Sequence, residues 1–352
     1  MNQPNVGIRE VAAAAGVSLS TVSNVLNRPE VVSSALTGRV QRAIEELGYV
    51  RNEAARSLRT GRSRSIGAVF FDLANPYFAQ VSRHMSNEAL RRGYLVSAMS
   101  TDHRVEAERD YLEFLSKQGI QAVAVTTSGD GVEALVEPVE RGTKLVLLAQ
   151  DSPDNRIGSV AVDDYGAMKA LALHVLETGR TRIGYVGGPP PASQYLRRRQ
   201  AVEDAATEWQ GRAEVMVVNA QTPSIEGGQE AADRLLRMDP DLDALLCVND
   251  YTALGAMTAL RDSGRSIPDD VAVTGFDDID SAVLLDPPLT TVRQPLRLIG
   301  EAAAAALIEA LEGAEGDLPR RRFPAELMVR ASTIGAAADP FVVEIPEGDL
   351  PD

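Results

Sequence analysis

Residues 8–26 read IREVAAAAGVSLSTVSNVL. Val11, Ala12 and Ala15 recur at i, i+1 and i+4, one apolar stripe on a first helix. Gly16-Val17 makes a tight turn. Ser18 can cap a second helix, in which Val22, Val25 and Leu26 face inward. Leu19, Ser20, Ser23 and Asn24 then face out, a small and mostly polar set. From Ser33 a third helix runs to about Leu47, with Leu36, Val40, Ala43, Ile44 and Leu47 on one face. Gly38 weakens its interior by about 1 kcal/mol relative to Ala, and Gly48 ends it. Asn52 can cap a short segment over 53–59, and 60–64 reads as a linker.

Beyond residue 65 the period changes. Strand patterns at 65–71, 94–100, 122–126 and 145–148 alternate with helix patterns at 75–92, 105–118 and 135–140. Such alternation predicts parallel sheets with crossover helices. Arg182-Ile183-Gly184-Tyr185-Val186-Gly187 echoes Ser65-Ile66-Gly67-Ala68-Val69, so a second, similar lobe is expected. The run 290–295, TTVRQP, reads as a crossover back to the first lobe. Ligands in such folds sit beyond the carboxyl ends of the strands, here between the lobes. After Gly335 the chain turns acidic and Pro-containing, and a disordered tail over 336–352 is expected.

Charge sharpens the first segment. The 352 residues carry −15 overall. Residues 1–65 hold nine arginines against five glutamates, a net of +4, which leaves −19 for the remainder. A basic head on an acidic body favours phosphate contact at one end only. No stretch of about 18 apolar residues is present, and 1–7 lack a charged-then-apolar leader, so a cytoplasmic protein is expected. Cys247 is the only cysteine, which excludes a disulfide framework and a thiol metal cluster.

Catalytic patterns are lacking. His84, His103 and His174 are scattered, and no nucleophile elbow, P-loop or G-x-G-x-x-G follows a strand. The prolines of Gly187-Gly188-Pro189-Pro190-Pro191 remove the amides that would cradle a phosphate. Asp163-Asp164 and Asp277-Asp278 are acidic pairs without an assigned partner. Neither an enzyme nor a cofactor or metal site is expected. On spacing alone, the first two helices fit a DNA-binding helix-turn-helix and a merely packed helical hairpin equally well.

The segment GVSLSTVSNVLN, followed by VSSALTGRVQRAIEELGYVRNEAARSLRTGRSRSIGAVFFD, resembles the start of a LacI/GalR-family transcription regulator. The resemblance continues to about Ser332. It implies a small all-α helix-turn-helix head over 1–50 and a hinge helix and linker over 51–64. It also implies an α/β body over 65–335 of two similar parallel-sheet lobes, like a type I periplasmic binding protein. Base reading would fall to Leu19, Ser20 and Asn24, with Ser18, Thr21 and Ser23 placed for phosphates. The hinge would enter the minor groove through Ala55 and Leu58, with Leu58 wedged between base steps. Tyr77, Phe78, Arg198, Asn249, Asp277 and Gln294 match effector-binding positions. The residues by themselves also fit core aromatics, a turn Asn and a capping Asp.

The resemblance thus implies a repressor that binds a double-stranded, palindromic operator as a homodimer or higher oligomer. A small sugar-like effector would control it, without membrane contact. Departures from the family pattern bear on this. Ala149 stands where an Asp or Asn is common, and Pro223 where an aromatic is common. Gly7 replaces a capping Thr, and Ala35-Leu36-Thr37-Gly38 lacks a phosphate-contacting cation. Trp209 falls after a helix and reads as structural. The competing readings are a ligand-independent DNA-binding regulator with a degenerate pocket and a sugar-binding or sugar-processing protein.

Overall fold

A computed structural model describes residues 6–49, 63–127, 131–209, 213–314 and 316–348. The chain divides into two compact units, 1–61 and 62–352.

Among its described residues the first unit contains three α-helices: α1 (Ile8–Ala15), α2 (Leu19–Asn27) and α3 (Ser34–Leu47). Each contributes one fully buried valine, Val11, Val22 and Val40, and Ala12, Ala15, Val25 and Ala43 complete the core. Gly16 takes the left-handed conformation that turns α1 into α2, at φ 62°. Ser18 caps α2, its hydroxyl oxygen accepting the Thr21 N–H at 3.1 Å. Gly7 caps α1 without a side chain; Glu10 compensates by accepting the Gly7 N–H at 2.9 Å. Arg39 of α3 donates to the Ala15 and Gly16 carbonyls at 2.6 and 3.1 Å, which satisfies the end of α1.

The second unit has two lobes. Lobe one is a six-stranded parallel sheet in the order β11-β5-β4-β3-β1-β2. Its strands are β1 (Ser65–Phe70), β2 (Leu95–Ser100), β3 (Ala122–Val125), β4 (Lys144–Leu148), β5 (Gly158–Val162) and β11 (Arg320–Phe323). Helices α4 (Pro76–Arg91), α5 (Val105–Lys117) and α6 (Gly131–Glu140) connect its first four strands. Lobe two repeats the winding as β7-β6-β8-β9, all parallel. These are β6 (Arg182–Gly187), β7 (Glu214–Asn219), β8 (Ala244–Cys247) and β9 (Ala272–Thr274). Its helices are α7 (Asp164–Glu177), α8 (Ser193–Glu208), α9 (Ile225–Met238) and α10 (Asp250–Asp262). In both lobes the first strand lies between the second and third, the doubly wound arrangement. The echo between 65–69 and 182–187 therefore marks equivalent central strands, β1 and β6.

The chain passes between lobes three times. β5 leads directly into α7. β10 (Thr291–Arg293) leads into α11 (Leu296–Glu312), which packs on α4 of lobe one. Gly300 permits that approach: a Cβ there would lie 2.7 Å from the Val81 carbonyl oxygen. β11 then leads into β12 (Ala325–Val329) and the short α12 (Ala331–Ile334) of lobe two.

The tail corrects one expectation. Within 336–352, Phe341–Ile345 forms strand β13, which pairs antiparallel with β12 in the sheet β10-β12-β13. Its Val342 and Val343 give it strand character that net acidity concealed. Helix α6 begins four residues before the 135–140 pattern, and contains Pro138. No described helix is long and apolar enough to cross a membrane.

Two glycines predict opposite outcomes. A Cβ at Gly255 would overlap the Ile225 carbonyl oxygen where α10 crosses α9, so Gly255→Ala should cost on the order of 1–3 kcal/mol. A Cβ at Gly38 meets no atom within 4 Å, so Gly38→Ala should stabilise the head by about 1 kcal/mol. Urea titrations followed by circular dichroism check both.

Candidate effector site and nucleic-acid interface

The α2 surface is built by its cap. Leu19 is 45% exposed, Ser20 and Asn24 are exposed, and Thr21 and Ser23 are half-buried. The Ser18 hydroxyl also lies 2.7 Å from that of Ser20 and 2.8 Å from that of Thr21. Asn27 donates to the Ser23 carbonyl at 2.7 Å. The polar side chains of the face are thus tied to one another, and Leu19 and Asn24 stand out from it. Ala55 and Leu58 lie outside the described residues. Arg39, a cation near this face in sequence, is committed to the end of α1.

In the second unit, the six expected effector residues come from five separate chain segments. Asn75 caps α4, accepting the Tyr77 N–H at 3.0 Å, and so sets Tyr77 and Phe78 at the helix start just past β1. Arg198 projects from the second turn of α8. Asn249 and Asp277 follow β8 and β9, and Gln294 follows β10. All six are only 3–6% exposed.

Arg198 is the centre of the network. Its guanidinium donates to Asp164 Oδ1 through Nε at 2.8 Å and Nη2 at 2.7 Å. Nη1 donates to the Val248 carbonyl at 2.7 Å, and the group lies 3.6 Å from the Phe276 ring centroid. Burial by itself would lower the Arg198 pKa; the charges of Asp164 and Asp277 outweigh it, and the net shift is upward. Burial raises Asp164 despite the attraction of Arg198.

Asp277 accepts from Gln294 Nε2 at 2.8 Å, and burial pushes its pKa up to about 7 against the pull of Arg198. Its backbone is held at φ 116°, a conformation that side chains other than glycine rarely adopt and that often marks functional positions. Asp250, fully buried, is also raised well above its ordinary value by burial and by the charge of Asp277. It accepts from the Thr291 hydroxyl at 2.6 Å and the Ile279 N–H at 2.8 Å.

Asn249 is placed differently from the others. It caps α10, accepting the Thr252 N–H at 2.9 Å, and donates to the Pro223 carbonyl at 3.3 Å. The aromatic side of the site is Phe70, Phe71, Tyr77, Phe78, His103 and Tyr195. Tyr77 meets Phe78 edge-on at 4.9 Å, and Phe71 stacks on His103 at 5.0 Å. Phe71 also lies 6.4 Å from Tyr195.

The lobes are latched around this network. Tyr251 donates to the Ala74 carbonyl at 2.9 Å, and Ser193 to Gln150 at 2.9 Å. Arg197 reaches Asp151 at 3.2 Å.

Sequence reasoning missed Asp164, Phe276, Phe71, His103, Tyr195 and Gln194. The Asp163-Asp164 doublet was visible, but its partner is 34 residues away. Tyr195 stands three residues before Arg198, a helical neighbour that spacing could have found. Gln194 Oε1 is buried and has no hydrogen-bond partner among the described residues. Among those residues no group of acidic, His or Cys side chains is arranged to hold a metal.

Comparison with known proteins adds an independent line. Residues 7–52 match the model for bacterial regulatory proteins of the lacI family, and 172–333 match a periplasmic binding protein-like domain. The ribose operon repressor of Halalkalibacterium halodurans is 33% identical over 332 residues, 93% of this chain and 97% of that protein. The structure of the Lac repressor dimer bound to operator and the anti-inducer ONPF is 25% identical with a TM-score of 0.82. That match covers 94% of this chain and 99% of the other. The complex of the transcriptional regulator CelR with cellobiose is 28% identical, with a TM-score of 0.69 over 93% and 99% of the two chains.

The upward shift of Asp277 carries a sign. Its stabilising contribution is full below the ordinary value of 3.8 and is lost as pH rises through about 7. Stability should therefore fall between about pH 4 and pH 7, and Asp277→Asn should flatten that slope. Urea midpoints at stepped pH measure it; an unchanged slope in the variant removes Asp277 as its source.

Proposed function

The chain belongs to the LacI family of bacterial regulatory proteins, and from that premise we propose that it represses transcription in the cytoplasm as an effector-controlled homodimer on a near-palindromic operator. The observation that carries the reading is the convergence of Arg198, Asp164, Asp277 and Gln294 beyond the strand ends, between two latched lobes. A basic N-terminal segment, residues 1–65, precedes that body in the same chain.

On this reading α2 lies in the major groove, one head per half-site. Asn24 reads an adenine edge, Leu19 meets a thymine methyl, and Ser20 pairs with either partner. Ser18, Thr21 and Ser23 support phosphate contact, and Ala55 and Leu58 serve the minor groove. The domain boundaries are 1–50 for the head, 51–64 for the hinge and 65–335 for the body. Net positive charge over residues 1–65, carried by the hinge and linker, and a strongly acidic body confine phosphate contact to one end.

The effector is a small polyhydroxylated metabolite with one apolar face. Arg198, Asp277 and Gln294 would bind its hydroxyls, and Tyr77, Phe78 and Tyr195 its apolar face. Gln194 Oε1, a buried acceptor without a partner among the described residues, suits a donor on that molecule. Asn249 serves mainly by holding the β8–α10 corner. Effector and operator bind different parts of one two-state protein, so each must change the affinity of the other by the same factor.

One observation favours a second reading, a regulator that needs no effector: Arg198 already spends both faces of its fork on Asp164 and Val248. A thermal-shift panel of sugars, polyols and nucleosides separates the two readings; no stabilisation by any compound supports the second.

Two variants test the roles. Asn24→Ala should cost about 1–3 kcal/mol and relax preference at one base pair per half-site, read by competition among operator variants. Arg198→Lys keeps the charge and loses the fork, so it should abolish the effector response while leaving operator binding intact. Footprinting over the gene's own upstream region tests the premise; no protected palindrome at moderate salt would overturn it.

A further inference from the structure

The tail strand lies where the family match does not reach, since that match ends at residue 333. β13 pairs with β12 along its whole length, from Ala325 opposite Ile345 to Val329 opposite Phe341. β12 is the third interlobe crossing, and its other edge pairs with β10, the second. The tail also reaches the first crossing. Gly348 rests against Asp163, so closely that a Cβ would lie 2.5 Å from Asp163 Oδ2. Phe341 meets the His174 ring edge-on at 6.2 Å, on the helix that follows that crossing.

One segment of eight residues therefore touches two of the three connections between the lobes, and β12 separates it from the other. Between it and the crossings lies a cavity of about 470 Å³, lined by Arg293, Pro295, Pro324, Glu326, Glu344 and Pro346. Hinge closure in two-lobed proteins is absorbed by backbone rotation in a few connecting residues. A strand bonded to one connection and seated on another must slip or detach when they rotate apart.

We propose that residues 341–348 form a strap that biases the two lobes toward the closed arrangement. The strap raises the free energy of opening and so sets the fraction of molecules in which the lobes are apart. Its hold is moderate. Phe341, Val342 and Val343 are each about half exposed, so one backbone ladder supplies most of the attachment. Glu344 also stands directly opposite Glu326, a like-charge pair that weakens the ladder. Arg293 offsets part of that repulsion, since it reaches Glu326 at 3.3 Å. The proposal rests on the two-lobed fold and not on the identity of any ligand.

The test is a distance distribution between spin labels on the full chain. Cysteines replace the exposed residues Glu113 in lobe one and Arg237 in lobe two, and buried Cys247 stays unlabelled. Full-length protein should give one narrow distribution. A chain ending at Gly335 should give a broader one, displaced to longer separations by more than the full-length width. Glu344→Lys, which sets a cation opposite Glu326, should leave the distribution narrow. A truncated chain that melts cooperatively and superimposes on the full-length distribution overturns the strap. If the truncated chain fails to fold, Gly348→Ala decides. It should displace the distribution in the same sense, and a superimposable result overturns the strap. The measurement needs neither operator nor effector, so its failure leaves the proposed function standing.

Discussion

A guanidinium that is 4% exposed must be paired, and the interlobe region is arranged around that requirement at Arg198. Asp164 supplies the anionic partner from the start of α7, immediately after the first crossing, its Oδ1 accepting from two guanidinium nitrogens. Val248 supplies a carbonyl from the end of β8, and Phe276 a ring from beyond β9. Separate stretches of lobe two are thus tied to one side chain of α8. Removing either charge would leave the other buried and alone, which is far costlier than never having built the pair.

The same charge arrangement leaves a surplus. Asp164 and Asp277 face one buried cation, Asp250 lies beside Asp277, and low-dielectric surroundings cannot hold them all ionised cheaply. Asp277 responds by titrating near neutrality, where a hydrogen-bonding ligand would have most leverage on its protonation. The strained backbone at Asp277 and Asp278 shows how firmly the neighbouring strands hold this corner. Gln294, carried on the second crossing, joins the network to the segment that must move when the lobes part.

The head solves a different problem with less material. Its buried core rests on four valines and three alanines, so local devices matter more. The Ser18 cap, the Gly16 turn and the Arg39 contact with the end of α1 fix the angle between the first two helices. Using Arg39 this way removes a cation from the phosphate inventory of a head whose residues 1–50 hold only four arginines against four glutamates.

How much was legible depended on the range of the interaction. Helices α1 to α3, the alternating body and the repeat at β6 follow from periods of 3.6 and 2, from turn glycines and from caps, all of which act within a few residues. The crossing at 290–295 was readable because its polar ending and Pro295 interrupt a strand pattern. Arg198, Asp277 and Gln294 could be named by resemblance, yet no local rule joined them. Asp164 lies 34 residues from Arg198, and only the folding of α7 against α8 brings them together. Whether Asn249 caps a helix or faces a ligand was likewise undecidable from spacing; the structure gives it the capping bonds. The tail shows the limit most clearly. Its acidity and prolines read as disorder, because a lone strand has no partner in sequence. Only the tertiary structure supplies one, by presenting the free edge of β12 to Phe341–Ile345. The chain's own order of residues determined its elements, its lobes and its basic N-terminal segment. Which charges meet across the interlobe site, and what braces the connections beside it, were decided by long-range pairing.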